Sequence, residues 1–283
     1  MMYQAGLVLE GGGMRGMYTA GVLDFFLDKG IEFSNCYGVS AGSCHLCSYL
    51  SKQKKRAYRV SVKYLKNKNY CSIYSLLKTG DIMGADFCYN RIPNELDIYD
   101  YEEFEKYKGK AYAVVTNIES GETEYHRLVD MHKDIQWIRA SSSLPLVSKN
   151  VEIDGTLYLD GGISDAIPIR KSIEDGNKKN VVVLTKHVGY VRKPTSHLGL
   201  LKARYRKYPM VAEIMKKRHE TYNETMEFLE EEERKGNIFV LRPQYDSNVG
   251  RLEKDKKKLR ALYKQGYQDA EKSYEAMKEY LSK

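Results

Sequence analysis

The sequence predicts an α/β fold built on a parallel sheet covered on both faces. Three observations carry that prediction. Residues 5–9 form a short unbroken apolar run ending at glycines. Residues 22–27 repeat apolar side chains at helical spacing, and residues 36–39 form a second apolar run ending at another glycine-flanked turn. Short continuous apolar runs bounded by turn residues mark strands buried on both faces. Strand, turn and helix repeated in succession make the unit of an α/β sheet.

The elements follow in order. The strand at 5–9 leads into a helix over 18–28, which closes at Lys29-Gly30 with a basic residue and a C-cap glycine. A second strand runs to Val39, and a helix starts just past Ser40. Residues 111–116 read as the next strand, with 123–128 as a strand beside it. Residues 134–140 read as a helix and 141–145 as a turn. Residues 156–159 read as a strand ending at Asp160-Gly161-Gly162, and 180–185 as a core strand. Beyond residue 200 the pattern is helical and highly charged, broken by a last strand at 237–241 and closed by one or two helices over 251–283. The expected division is a catalytic domain over 1–199 and a mostly helical extension over 200–283, packed on the same domain.

Bulk properties narrow the class. The chain has 283 residues, 42% hydrophobic and 30% charged, enough for one large domain with a substantial core. No apolar run is long enough to span a bilayer, and the N-terminus enters the first strand without a leader-like segment. Five cysteines without a framework spacing are expected to be reduced thiols, which places the chain in the cytoplasm. A net charge of +8 favours anionic surfaces.

Two glycine clusters carry the chemistry. Gly11-Gly12-Gly13-Met14-Arg15-Gly16 satisfies G-x-G-x-x-G, but a dinucleotide site needs a carboxylate at the end of the second strand, and that strand ends at Val39-Ser40. The other reading has backbone N–H groups of Gly12 and Gly13 facing a developing negative charge, with Arg15 as a fixed cation. Gly38-Val39-Ser40-Ala41-Gly42 has the pattern of a nucleophile on a strained strand-to-helix turn, with Gly38 and Gly42 leaving room around the serine. His126, His132, His187, His197 and His219 follow it, and none has a local context that marks it as a base. Asp160 ends a strand, at the sheet edge where ligands bind. Cys44 and Cys47 fall inside a helix with no second pair, so no metal site is read there.

Taken together, Gly-Gly-Gly-x-Arg-Gly, Gly-x-Ser-x-Gly and the later Asp-Gly-Gly resemble the patatin-like phospholipase family. Ala140-Ser141-Ser142-Ser143-Leu144-Pro145 resembles its serine-rich, proline-ended segment. The resemblance covers about residues 5–190 and implies a three-layer α/β/α sandwich with a mostly parallel sheet and a Ser-Asp dyad without histidine. Residue by residue, Ser40 matches the nucleophile, Asp160 the general base, and Gly11, Gly12, Gly13 and Arg15 the oxyanion loop. Where many members carry Asn-x-Pro, this chain has Ala166-Ile167-Pro168. The region past 200 resembles the C-terminal extension of bacterial members with unassigned substrate.

The expected function is a serine acyl hydrolase of lipase or phospholipase A type, acting on lipids or smaller esters without cofactor or metal. A Ser-His-Asp esterase and a non-catalytic lipid-binding protein are the alternatives. Residues 51–80 hold nine lysines and arginines and no acidic residue, with tyrosines interleaved. That composition suits peripheral contact with an anionic membrane at the inner face, against a solvated face with counter-charges elsewhere. No nucleic-acid motif accompanies the charge. Oligomeric state is not legible.

Overall fold

A computed structural model describes residues 2–283. β1 (Met2–Leu9), α1 (Met17–Asp28), β2 (Glu32–Val39) and α2 (Ala41–Leu50) open the chain. α3 (Arg56–Lys63), α4 (Ile73–Thr79), a π-helical segment (Phe87–Leu96) and α5 (Tyr101–Glu105) follow. Then come β3 (Lys110–Asn117), β4 (Thr123–Leu128), α6 (Met131–Ser141), β5 (Val151–Ile153), β6 (Thr156–Asp160), α7 (Ile169–Glu174) and β7 (Asn180–Val183). The C-terminal part holds α8 (Leu198–Arg204), α9 (Pro209–Arg234), β8 (Phe239–Leu241), α10 (Lys256–Lys272) and α11 (Tyr274–Ser282).

The strands form one sheet in the order β5-β6-β3-β2-β1-β7-β8, with β4 also on β3. The β3–β2–β1–β7–β8 half is parallel, and the β4, β5 and β6 pairings are antiparallel. Alternation along the strands builds two cores. Leu7, Leu9, Cys36, Val181 and Val183 pack with side chains of α1, α2, α6 and α10. Val8, Tyr37, Val182 and Leu184 pack on the opposite face with Ile169 of α7 and Tyr222, Met226 and Leu229 of α9. The result is the α/β/α sandwich that the sequence predicts. β8 extends the sheet beyond β7, so the C-terminal part shares the central layer.

Two contacts set the frame. α10 lies directly on α1. A Cβ on Gly21 would stand 2.0 Å from the Tyr263 carbonyl oxygen, and one on Gly266 would stand 2.0 Å from that of Tyr18. The helices meet backbone to backbone, which only residues without a side chain allow.

The second contact is along β3. Residues 35–39 of β2 pair in parallel with residues 110–114 of β3, and Asp160 at the end of β6 pairs antiparallel with Val115. The strands β2 and β6 therefore run toward each other along one edge of β3 and stop where they meet. β7 ends at Val183, short of the expected 185, because the Thr185 N–H is taken by the Glu10 carboxylate at 2.6 Å instead of continuing a ladder.

Candidate active site

Ser40 follows β2 directly and has φ 56° and ψ −123°, a backbone state that costs a non-glycine residue about 1–3 kcal/mol. Close packing holds it there. A Cβ on Gly42 would stand 2.6 Å from the Leu9 carbonyl oxygen, one on Gly38 2.6 Å from Ser43 Cα, and one on Gly11 2.9 Å from Ser40 Cβ. The glycines flanking Ser40 are therefore spatial requirements, as the sequence suggests. The Ser40 N–H donates to Ser141 Oγ at 2.9 Å, and its carbonyl accepts the Ser43 hydroxyl at 2.7 Å and the Ser43 N–H at 3.0 Å.

The head-to-head strands bring Asp160 to Ser40. Asp160 is buried, its N–H donates to the Ser143 carbonyl at 2.8 Å, and its Oδ1 accepts the Gly162 N–H at 2.7 Å. Its Oδ2 is buried without a fully formed hydrogen bond. Burial raises the carboxyl above the usual carboxylate range, opposed by the Ser40 hydroxyl, the Gly162 N–H, Arg218 and Arg251. Downstream of it, Asp165 directly precedes Ala166-Ile167-Pro168. It accepts the Ile167 N–H at 3.2 Å and the Tyr125 hydroxyl at 2.8 Å.

None of His126, His132, His187, His197 and His219 lines the cavity that holds Ser40. His126 stacks on Trp137 and bonds Asp134, and His132 stacks on Tyr101. His187 and His219 bond backbone carbonyls of neighbouring residues. The one histidine in that cavity is His45, within α2. Burial pushes its pKa down to about 4, and a Cβ on Gly16 would stand 2.7 Å from its Nε2.

The glycine loop crosses the same sheet edge, since Leu9, Gly38 and Val183 share one register. Among the described residues, the N–H groups of Gly11, Gly12 and Gly13 donate to no protein acceptor. The loop is fixed around them. The Met14 N–H donates to the Arg251 carbonyl at 3.0 Å, and the Thr185 hydroxyl lies 2.9 Å from the Gly11 carbonyl oxygen. The buried Glu10 carboxylate also accepts the Tyr222 hydroxyl of α9 at 2.8 Å. Gly13 lines the Ser40 cavity, whereas Arg15 does not. Arg15 instead faces Glu10, Tyr190, Arg192 and Arg251.

The Ser40 cavity measures about 200 Å³. Its walls are mostly apolar, including Val60, Ile82, Tyr89, Ile92, Ile135 and Leu144. α2, α3, the π-helical segment and α6 supply most of them, so the segment after α2 forms one side of the chamber. All five cysteines are free, and among the described residues no cluster could hold a metal ion. Likewise no helix there is long and apolar enough to cross a membrane.

Several of these groups escape sequence reasoning. Ser141 and Ser143 were visible as part of a serine-rich segment, without their roles. Tyr222 and Arg218 sit in a charged helix that reads as solvated, and no local signal marks them. Glu10, a carboxylate between an apolar strand and three glycines, carried a signal that could have been read.

Comparison with known proteins agrees with this geometry. Residues 7–172 match the family model described as patatin-like phospholipase, and residues 208–282 match a domain of unknown function, DUF6363. The chain is 30% identical over 189 residues to the uncharacterized protein YjjU of Escherichia coli, covering 63% of this chain and 51% of that protein. It is 26% identical to the probable lipid hydrolase 463L of Invertebrate iridescent virus 6, covering 63% of this chain and 66% of the other. It is 27% identical over 262 residues to lysophospholipase NTE1 of Candida albicans, covering 85% of this chain and 18% of that protein. The chain thus spans about half of the E. coli relative, two thirds of the viral one and a fifth of the fungal one. With the family model matched over more than half its length, and serine, aspartate and glycine loop gathered at one sheet edge, this chain belongs to the patatin-like phospholipase family.

Proposed function

We propose that this chain is a serine acyl hydrolase that cleaves carboxylic esters of lipids, with Ser40 as nucleophile and Asp160 as base. The observation that carries the reading is the meeting of a strained serine, which lines an apolar cavity, with a buried carboxylate. Asp160 takes the Ser40 proton as Oγ attacks the ester carbonyl carbon. The tetrahedral intermediate collapses, the C–O bond to the alcohol breaks, and Asp160 returns the proton to the leaving oxygen. Water then attacks the acyl-enzyme, giving a proton to Asp160; the C–Oγ bond breaks, Asp160 passes that proton to Ser40 Oγ, and the fatty acid leaves. The free N–H groups of Gly11, Gly12 and Gly13 suit the oxyanion, at about 3 kcal/mol per well-placed donor. The names of the viral and fungal relatives support a lipid substrate. Five free thiols fit a reducing compartment such as the cytoplasm. A fluorophosphonate probe should label Ser40, and mass spectrometry over a lipid panel should detect released fatty acid. Equal labelling and release by Ser40→Ala protein would defeat the proposal.

The substrate reaches the site from a membrane surface in this reading, and the structure divides the basic stretch in two. Lys52, Lys54, Arg56 and Arg59 pair with Glu32, Glu103, Asp28 and Asp97, as a solvated or packed face would. Lys66, Lys68 and Lys78 pair with no carboxylate among the described residues, and Lys68 and Lys78 flank the Tyr74 ring at 4.6 and 5.8 Å. Between them α4 exposes Ile73 (71%) and Leu77 (83%) on one face. Tyr70, Ile82 and Met83, on either side of α4, line the Ser40 cavity. Exposed apolar side chains flanked by lysines without a carboxylate partner suit an anionic bilayer, at about 1 kcal/mol per basic residue. Replacing both Ile73 and Leu77 by Glu is expected to cut flotation with anionic liposomes about tenfold or more. Undiminished flotation of that variant, or wild-type binding equal on neutral and anionic vesicles at low salt, would remove α4 from this role.

A further inference from the structure

A second cavity, of about 530 Å³, adjoins the first, and Leu144 and Arg251 line both. The new cavity differs in kind. Arg192, Lys193, Arg218 and Arg251 stand in its wall. Arg218 donates through Nε to the Gly162 carbonyl at 2.6 Å, while the Gly162 N–H donates to Asp160. One residue thus separates this guanidinium from the carboxylate beside Ser40. Arg192 lies with Cζ 3.8 Å from the Tyr222 ring centre, and its Nε is buried without a partner. Arg15, whose Nε is also buried and unpartnered, and Lys186 face the same group.

These six cations feel Glu10, Asp160 and Asp246 at a distance but form an ion pair with none of them. Among the described residues none stands within 4.0 Å of a carboxylate oxygen. Glu10 is engaged by Thr185 and Tyr222. The cations repel one another, and burial with neighbouring arginines lowers the Lys186 pKa to about 8. Half-buried Arg192 and Arg218 with the exposed Arg251, all without an ion-pair partner around one cavity, form a receptor for an oxyanion, because the guanidinium fork matches phosphate oxygens in pairs. Three of its members, Arg192, Arg218 and Arg251, lie beyond the segment matched by the patatin-like model, and two of those within the domain of unknown function.

We infer that this cavity is a phosphate subsite, in which Arg192, Arg218 and Arg251 hold the phosphate of a phospholipid whose acyl chain occupies the Ser40 cavity. The inference rests on the acyl-hydrolase reading above and narrows it to phosphate-bearing lipids. It also gives the C-terminal region a task, since that region supplies Arg218 and Arg251 to a site whose reacting pair lies in the N-terminal part.

A matched pair of substrates tests it: a short-chain phosphatidic acid and the diacylglycerol with the same chains. The wild-type protein is expected to favour the phosphate-bearing lipid in kcat/KM. Arg192→Gln and Arg251→Gln are each expected to reduce that preference about tenfold to a hundredfold. Arg251→Lys, which keeps the charge, should recover part of the loss. Equal turnover of the two lipids by wild-type protein, or variants that change both lipids alike, would overturn the subsite and leave the hydrolase intact. If no ester is cleaved, calorimetry on Ser40→Ala protein still decides: short-chain phosphatidic acid should bind, and Arg192→Gln should weaken it. Inorganic phosphate binding as tightly as the lipid would assign the cavity to a free anion instead.

Discussion

Ser40→Ala is expected to lower kcat/KM for short p-nitrophenyl esters about ten-thousand-fold or more, the scale seen when a nucleophile is removed from an acyl-transfer site. Asp160→Asn should approach that loss, because the amide keeps the shape and the Gly162 hydrogen bond but cannot take the Ser40 proton. The double variant should be little worse than Ser40→Ala alone, as groups acting in one step are non-additive. Wild-type turnover by Asp160→Asn would dismiss Asp160 as the base. The pH profile carries a second readout. Burial holds Asp160 above the usual aspartate range, and only the ionised form accepts a proton. Activity should therefore fall as pH drops through that raised value, at a higher pH than an exposed aspartate would give. Stability runs the other way. A raised folded-state pKa means the folded chain binds the proton more tightly than the unfolded chain. Stability is then lost as pH rises through the two values. Asp160→Asn removes the buried charge and should unfold at higher urea than wild type at neutral pH, a gain that vanishes in acid.

Gly266→Val should be the most damaging single change to the scaffold, costing about 3 kcal/mol by overpacking. Its Cβ would meet the Tyr18 carbonyl oxygen at 2.0 Å, and neither helix backbone can move without leaving the core shared by α1, α10 and the sheet. Urea denaturation should show the loss as a lower midpoint. Esterase activity should fall in the remaining folded protein, because α10 follows the loop whose Arg251 carbonyl holds the Met14 N–H. An unchanged midpoint would mean that the α1–α10 contact is not rigid.

How far the sequence discloses this molecule follows from the range of the forces involved. The first two strand–helix units are legible because burial on both faces writes an unbroken apolar run, and Ser40 is legible because its turn admits only glycine at Gly38 and Gly42. The stretch from α3 to α5 is not legible. Its helices are short, and one segment is π-helical with Pro93 inside. Its apolar residues are divided between the cavity wall, as Val60 and Tyr89 are, and the core, as Leu65 and Phe104 are, so no period of 3.6 or 2 builds up. β5, with three residues, is too short for any alternation. The candidate site divides the same way. Ser40, Asp160 and the glycine loop stand at element ends with their own turn chemistry. Arg218 and Tyr222 are defined only by where α9 crosses the sheet, and that crossing is a tertiary event.

The meeting of β2 and β6 on one edge of β3 makes the distance between serine and carboxylate a property of strand register alone. Chain length between them does not enter, so the stretch from the end of α2 to the start of β3 is free to diverge or be exchanged. That stretch walls the Ser40 cavity and carries α4. A transplant of this segment between homologues should therefore move chain-length preference and membrane preference together, while the chemistry stays where the three strands put it.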